Sequence, residues 1–345
     1  MAVGRGPIAL ARRCLTPTPF RMARGLVLGK FLPYHAGHAH LIRAARARVE
    51  ELVVLVCSIR REPIPGATRF GWVRDANPDC RVIHVTDEVP QAPEEHPDFW
   101  PIWTTLIERH AGRVDTVFTS EDYGTELARR IGARHVCVDR QRLTAPISGT
   151  AIRTDPIRNW EFVPRDVRPY FALRVALLGT ESTGKTTLAG SLARRFETVM
   201  VEEYGRPYCD TRPALSLELH DFEAIAWGQA TWEDEGALDA NRVLICDTDL
   251  HTTATWSDLV VGTRPEWLTA AARARHYDLI IMLDHENTPW VDDGTRVLSG
   301  RRAEHTRRLH EELESAGRSY VMIGGDFENR RRQAERLVSA LVERV

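Results

Sequence analysis

The chain has 345 residues, 43% hydrophobic and 27% charged, which excludes a disordered or fibrous protein and suffices for two cores of ordinary domain size. Lys plus Arg at 46 against Asp plus Glu at 48 gives a formal charge of -2, which excludes a global basic field that would draw the chain to nucleic acid or anionic lipid. No apolar run reaches the roughly 18 residues of a membrane helix, so membrane insertion is not expected. The cysteines Cys14, Cys57, Cys80, Cys137, Cys209 and Cys246 are scattered with no Cys-x-x-Cys pair and read as reduced thiols of a cytoplasmic protein.

Residues 1–23 carry Arg5, Arg12, Arg13 and Arg21, no acidic residue, and Pro17 and Pro19. They read as a disordered extension or a miscalled start ahead of Met22, because a signal peptide needs a longer apolar core. From Gly25 onward short β-rich runs alternate with helical patterns. The runs are Leu26 to Leu28, Leu52 to Cys57, Val82 to Val85, Thr116 to Thr119 and His135 to Val138; the helical segments include Leu41 to Val49, Phe99 to Ala111 and Tyr123 to Ile131. Such alternation predicts a parallel sheet covered on both faces, with a ligand crevice beyond the carboxyl ends of its strands.

The stretch GKFLPYHAGH, Gly29 to His38, falls at that edge. Its two histidines, His35 and His38, are three apart and are expected on one side of an opening helix, with Lys30 adding charge and Gly37 leaving room for a phosphate. A surface histidine pair or a metal-binding pair are the alternatives, the latter weakened by the lack of a third ligand cluster. Downstream, ISGTAIR, Ile147 to Arg153, puts Ser148, Thr150 and Arg153 at the start of another helix, as a second phosphate-binding cluster or as an ordinary helix cap. Trp72 and Trp103 are core residues or ring-stacking partners. The alternation then stops in a Pro- and Arg-rich connection with Trp160, Phe162, Tyr170 and Phe171. The expected division is 24–155, a linker 156–172 and a second unit 173–345.

The second unit opens on Val175 to Leu178 and then GTESTGKTT. Gly179, Thr180, Glu181, Ser182, Thr183, Gly184, Lys185, Thr186 and Thr187 fit G-x-x-x-x-G-K-[ST]. Glycines let the backbone wrap an anion, amides at the helix start face phosphate oxygens, Lys185 reaches the outer phosphates, and Thr186 holds Mg²⁺. This is a nucleoside-triphosphate cradle. Strands Thr198 to Val201, Val243 to Cys246, Leu279 to Leu283 and Tyr320 to Ile323 follow, the first three ending in carboxylates. Asp247 is the expected second Mg²⁺ partner, Asp249 an assistant or ribose contact, and Glu203 or Asp247 the acceptor of the substrate hydroxyl proton. Arg206 is expected to hold substrate or pair with Glu203. Tyr204, Tyr208 and Trp256 are core residues or candidates for stacking on a substrate ring. Arg296, Arg301 and Arg302 suit a lid closing over the phosphates.

GKFLPYHAGH followed by ISGTAIR resembles the H-x-G-H nucleotidyltransferases. Their fusion to the Gly179 to Thr187 cradle resembles the NadR family of bifunctional nicotinamide-mononucleotide adenylyltransferases and ribosylnicotinamide kinases, as do SEDYG (120–124), EYGR (203–206), DTD (247–249) and WVDDGTR (290–296). The resemblance implies an α/β chain of two doubly wound parallel sheets, an H-x-G-H Rossmann-like half followed by a P-loop kinase half. It implies ATP and Mg²⁺ at both sites, with nicotinamide riboside and nicotinamide mononucleotide as the other small-molecule substrates. His35 and His38 would stabilise the polyphosphate, Gly29, Lys30 and Phe31 would line the nucleotide site, and Ser148, Thr150 and Arg153 would hold the outer phosphates. Family members that repress transcription carry a helix-turn-helix domain, which 23 residues cannot hold, so DNA binding is not expected. A coenzyme A synthase, with the same order of motifs, and a nucleotide-sensing regulator with weak turnover are the competing readings. Whether the chain works alone or as a homo-oligomer stays open.

Overall fold

Runs that are apolar on both faces can be satisfied only inside a sheet covered on each side, and they form two such sheets in the computed structural model, which describes residues 23–210, 216–286, 288–290 and 300–344. The first sheet contains β1 (Arg24–Gly29), β2 (Glu51–Cys57), β3 (Arg81–Val85), β4 (Thr116–Thr119) and β5 (Arg134–Cys137), all parallel, in the order β3-β2-β1-β4-β5. Around it lie α1 (Ala36–Arg46), α2 (Gly66–Ala76), α3 (Phe99–Ala111), α4 (Tyr123–Ile131) and α5 (Gly149–Thr154). The order reverses between β1 and β4, so a crevice opens above the end of β1, where Gly29 leads into the histidine stretch.

Two short 3₁₀ turns, Trp160–Phe162 and Arg165–Val167, and α6 (Arg168–Phe171) follow. Trp160 and Val167 are buried; Tyr170 meets Trp72 edge-on with ring centroids 5.4 Å apart, while Arg165 pairs with Asp239 at 2.7 Å. The connecting aromatics thus pack against the first half as its polar groups bind the second.

The second sheet contains β6 (Leu173–Leu178), β7 (Met200–Val201), β8 (Val243–Asp247), β9 (Leu279–Leu283) and β10 (Val321–Ile323), parallel and ordered β10-β9-β6-β8-β7. Its helices are α7 (Lys185–Arg195), α8 (Gly205–Asp210), α9 (Leu219–Asp239), α10 (Leu250–Val260), α11 (Glu266–Ala274), α12 (Arg302–Ser315) and α13 (Phe327–Arg344). Among the described residues no helix is long and apolar enough to cross a membrane.

Several predicted elements shift by a residue or two at their ends, and side-chain hydrogen bonds account for two of the differences. The helix expected over Leu41 to Val49 starts at Ala36 and stops at Arg46, because His35 caps its amino end. The strand expected from Thr198 begins at Met200: the Thr198 hydroxyl binds the Val243 carbonyl and accepts from the Asn241 amide, holding that residue in a turn. Of the expected extension, residues 1–23, all but Ala23 lie outside the described residues.

Candidate functional sites

The first cavity, about 640 Å³, lies above the carboxyl end of β1. His35 does not ride on the helix as expected. It sits before it in extended conformation, and its Nδ1 accepts from the amides of Gly37 at 3.1 Å and His38 at 3.4 Å. Gly37 makes room for this ring, since a Cβ there would lie 3.0 Å from the imidazole, and it also lines the cavity. The His35 and His38 rings stack with centroids 3.7 Å apart. Burial lowers the His35 pKa to about 4, with Arg142 adding to the effect; His38 is pushed down by burial, then by His35 and Arg142. Both rings are therefore neutral near pH 7. Because Nδ1 of His35 is an acceptor, its proton resides on Nε2, which makes that atom a donor.

The distant ISGTAIR stretch joins the same cavity. Ser148 caps α5 by accepting from the Ala151 amide at 3.1 Å, so the capping reading holds for its hydroxyl. Arg153 donates to Thr150 Oγ1 at 3.1 Å and to the carbonyl of Leu32, which ties α5 to the β1–α1 loop. Gly29, Lys30, Phe31, His35, His38, Ser148, Thr150 and Arg153 all line this one cavity. Trp103 lines it with Phe99 and Trp100, its Nε1 donating to the Pro90 carbonyl at 2.9 Å; Trp72 belongs to the core.

Sequence reasoning missed the support beneath this loop. Arg69, at 0% exposure, donates to the carbonyls of Lys30 and Ile64 and to Glu62, and Glu62 also meets Lys30 Nζ at 3.3 Å. A lone arginine in a helical pattern carries no signal that separates it from a solvated one.

The second cavity, about 170 Å³, surrounds the glycine-rich turn after β6. Gly179 has φ of +144°, and a Cβ there would stand 2.8 Å from the Leu283 carbonyl oxygen, so this position requires glycine. Lys185 Nζ donates to the carbonyls of Gly179 at 2.9 Å and Thr180 at 3.1 Å. Glu181, Ser182, Thr183, Gly184, Thr186 and Thr187 line the cavity with Lys185, whereas Thr180 turns inward, where its hydroxyl meets Nδ1 of His305 at 3.3 Å.

Thr186 hydrogen-bonds to Asp247, and Asp247 Oδ1 is buried with no partner among the described residues. A hydroxyl and a carboxylate with a spare oxygen fit Mg²⁺ bound largely by water and phosphates. Among the described residues no group of three or more His, Cys, Asp or Glu could form an all-protein cage. Burial raises the pKa of both Asp247 and Glu203, opposed chiefly by Lys185 and also by Arg206. Glu203 and Arg206 line the cavity.

Several expected roles change. Asp249 is fully buried as the cap of α10, its Oδ1 accepting from the Thr252 amide at 2.8 Å and hydroxyl at 3.0 Å. The Tyr204 ring lies against Trp232 and over Gly228, off the cavity wall, and Tyr208 donates to Asp221 at 2.7 Å. Trp256 does line the cavity, with His305 edge-on to it at 5.2 Å. Arg301 pairs with Glu304 and Arg302 donates to the Thr288 carbonyl; neither lines the cavity. Arg296, the remaining lid residue, lies outside the described residues. Gln229, Phe222, Ile225 and His305 also line the site and carried no motif. Burial, then Lys185, lowers the His305 pKa to about 3, which keeps this ring neutral beside the lysine.

Residues 26–155 match the family described as Cytidylyltransferase-like, and residues 174–330 match the AAA domain. The chain is 32% identical over 323 residues to the Escherichia coli (strain K12) protein named Trifunctional NAD biosynthesis/regulator protein NadR, covering 87% of this chain and 78% of that one. Two solved structures share its fold: NadR protein in complex with NR, at 23% identity and TM-score 0.77, and NadR protein in complex with NAD and AMP-PNP, at 22% and 0.76. Each alignment covers 93% of this chain and 96% of the other.

Proposed function

Since the chain belongs to the NadR family, we propose that it makes NAD in two ATP-dependent steps, one in each half. The second half phosphorylates nicotinamide riboside to nicotinamide mononucleotide, and the first half adenylylates the mononucleotide to NAD with release of pyrophosphate. Residues 24–155, 156–172 and 173–345 are the adenylyltransferase, connection and kinase. The observation that carries this reading is the convergence of two motifs more than a hundred positions apart, His35/His38 and Ser148/Arg153, on one cavity, while the lysine-tipped turn builds another with which it shares no lining residue. Family membership sets aside a coenzyme A synthase.

In the first half a phosphate oxygen of the mononucleotide attacks the α-phosphorus of ATP and the bond to the pyrophosphate oxygen breaks. No protein nucleophile is needed. The Nε2–H of His35, His38, the α5 amides and Arg153 donate to phosphate oxygens as charge moves onto the leaving group. In the second half the riboside 5′-hydroxyl attacks the γ-phosphorus, the bond from that phosphorus to the β–γ bridging oxygen breaks and ADP leaves, Glu203 accepts the hydroxyl proton, and Lys185 leaves its carbonyl partners to neutralise the outer phosphates. Thr186 and, through water, Asp247 would hold Mg²⁺, which would supply further neutralisation of phosphate charge.

Purified chain incubated with ATP, Mg²⁺ and nicotinamide riboside should form the mononucleotide and then NAD, resolved by chromatography. Absence of both products would sink the proposal.

A further inference from the structure

The kinase cavity contains a buried donor that has no partner among the described residues. Gln229 lies on α9 at 1% exposure and lines the cavity beside Glu203, Gly205 and Arg206. Its Oε1 accepts from the Tyr204 amide at 2.9 Å. A backbone N–H can only donate, so the orientation of the side-chain amide is settled: exchanging its oxygen and nitrogen would set two donors against each other. The other end is therefore NH₂. Nε2 is buried and has no partner among the described residues, the condition under which a polar group costs most unless a ligand completes it.

Its surroundings indicate which ligand atom that is. The hydroxyl of Thr248, on the same cavity wall, is also buried without a partner among the described residues. Together these atoms offer both donors and acceptors, and a hydroxyl is the group that can serve both. Along α9 the cavity residues Phe222, Ile225 and Gln229 follow one another on a single face, running from the apolar part of the wall formed with Leu217 and Trp256 to the polar part at Glu203. A ring placed against the apolar part leaves the sugar of a riboside beside Gln229. We propose that Gln229 is a specificity-determining residue of the kinase site, its Nε2 donating to a vicinal ribose hydroxyl of the nucleoside substrate. The assignment rests on the riboside kinase reading.

The test is a cycle between protein and substrate. KM is measured for nicotinamide riboside and its 2′-deoxy and 3′-deoxy analogues with the full chain and with Gln229→Met. In the wild type, loss of the hydroxyl that is read raises KM about tenfold, the effect of one buried hydrogen bond. Gln229→Met raises the riboside KM by a similar factor, and in that variant loss of the same hydroxyl costs less than about twofold. KM for ATP stays unchanged. Gln229→Leu, which likewise removes the Nε2 donor and offers no acceptor to the hydroxyl, serves as the second variant and gives the same pattern. An unchanged riboside KM in both variants, or equal penalties for both deoxy analogues in wild type and variants, overturns the assignment. A wild-type chain that fails to phosphorylate the riboside overturns the kinase reading itself.

Discussion

Gly149→Ala should disable the adenylyltransferase and spare the kinase. The glycine sits where α5 meets the β1–α1 loop, and an added Cβ would stand 2.4 Å from the Leu32 carbonyl oxygen and 3.1 Å from its carbon. Both atoms are backbone and cannot rotate away. Restoring ordinary contact near 3.4 Å separates the two segments by about 1 Å, since 3.4 less 2.4 is 1.0. The same movement stretches the bond from Arg153 to the Leu32 carbonyl that holds the motifs together. A misplacement of that size costs roughly 10²-fold in rate when reacting groups must be aligned, so kcat/KM for adenylylation should fall by about that factor. Overpacking should also cost about 1–3 kcal/mol of stability, seen as a lower Tm. Kinase kcat/KM, assayed in the same preparation, should stay within about twofold, because distant sites perturb one another little. A folded Gly149→Ala chain that adenylylates at the wild-type rate would refute the claim that these backbones must meet.

Lys185→Ala should remove riboside phosphorylation by about 10²-fold or more and leave adenylylation intact, and His38→Ala should do the reverse; loss of both activities in either folded variant contradicts two independent sites. Arg330 on α13 is buried and donates to the Thr183 carbonyl at 2.7 Å and to Thr288 Oγ1 at 2.5 Å, pinning the glycine-rich turn from behind. Arg330→Met should raise the kinase KM for ATP about tenfold with adenylylation unchanged, and an unaltered KM would show the contact to be idle. His35 contributes to acid lability. Its pKa falls from 6.5 unfolded to about 4 folded, so its share of stability is complete above pH 6.5 and is lost as pH falls toward 4, about 3 kcal/mol in all. The raised carboxyls of Glu203 and Asp247 run in the opposite sense, so the measurement is a difference. Urea unfolding of wild type and His35→Gln should diverge in pH dependence across that window, and parallel curves would discard the assignment.

Much of both sites was legible because phosphate cradles are local: consecutive amides, a turn that demands glycine and a helix start are written into a few adjacent positions. The elements Phe99–Ala111, Tyr123–Ile131, Thr116–Thr119 and Leu279–Leu283 match their predicted limits for a similar reason, each being an apolar pattern bounded by turn residues. The errors arose where the backbone departs from its regular period. Asp247 and Asp249 were read as a pair facing the ligand, but Thr248 lies between them at φ of +97°, which breaks the strand alternation and turns Asp249 into a helix cap. Tyr204 follows Glu203, yet Gly228 on α9 leaves a space that its ring fills, drawing it into the core. Gln229, His305, Arg330 and Arg69 were invisible because each is a single polar residue on the inner face of a helix, meaningful only against a loop far away in sequence.

The two cavities, both lined by permanent cations, handle the same anion by different electrostatic means. In the first, burial keeps the stacked histidines uncharged, so ATP meets oriented donors before it meets imidazole charge, and the arriving phosphate favours protonation that the empty site resists. In the second, a permanent lysine is parked on two carbonyls and faces carboxyls that burial makes reluctant to ionise. The difference follows from the chemistry. Adenylylation brings two phosphorylated reactants together, and neutral imidazoles beside Arg153 and Lys30 add hydrogen bonds without adding further fixed charge that would retain the anionic products. Phosphorylation of an alcohol brings one anion and must remove a proton, which a raised carboxyl beside a fixed cation is suited to accept.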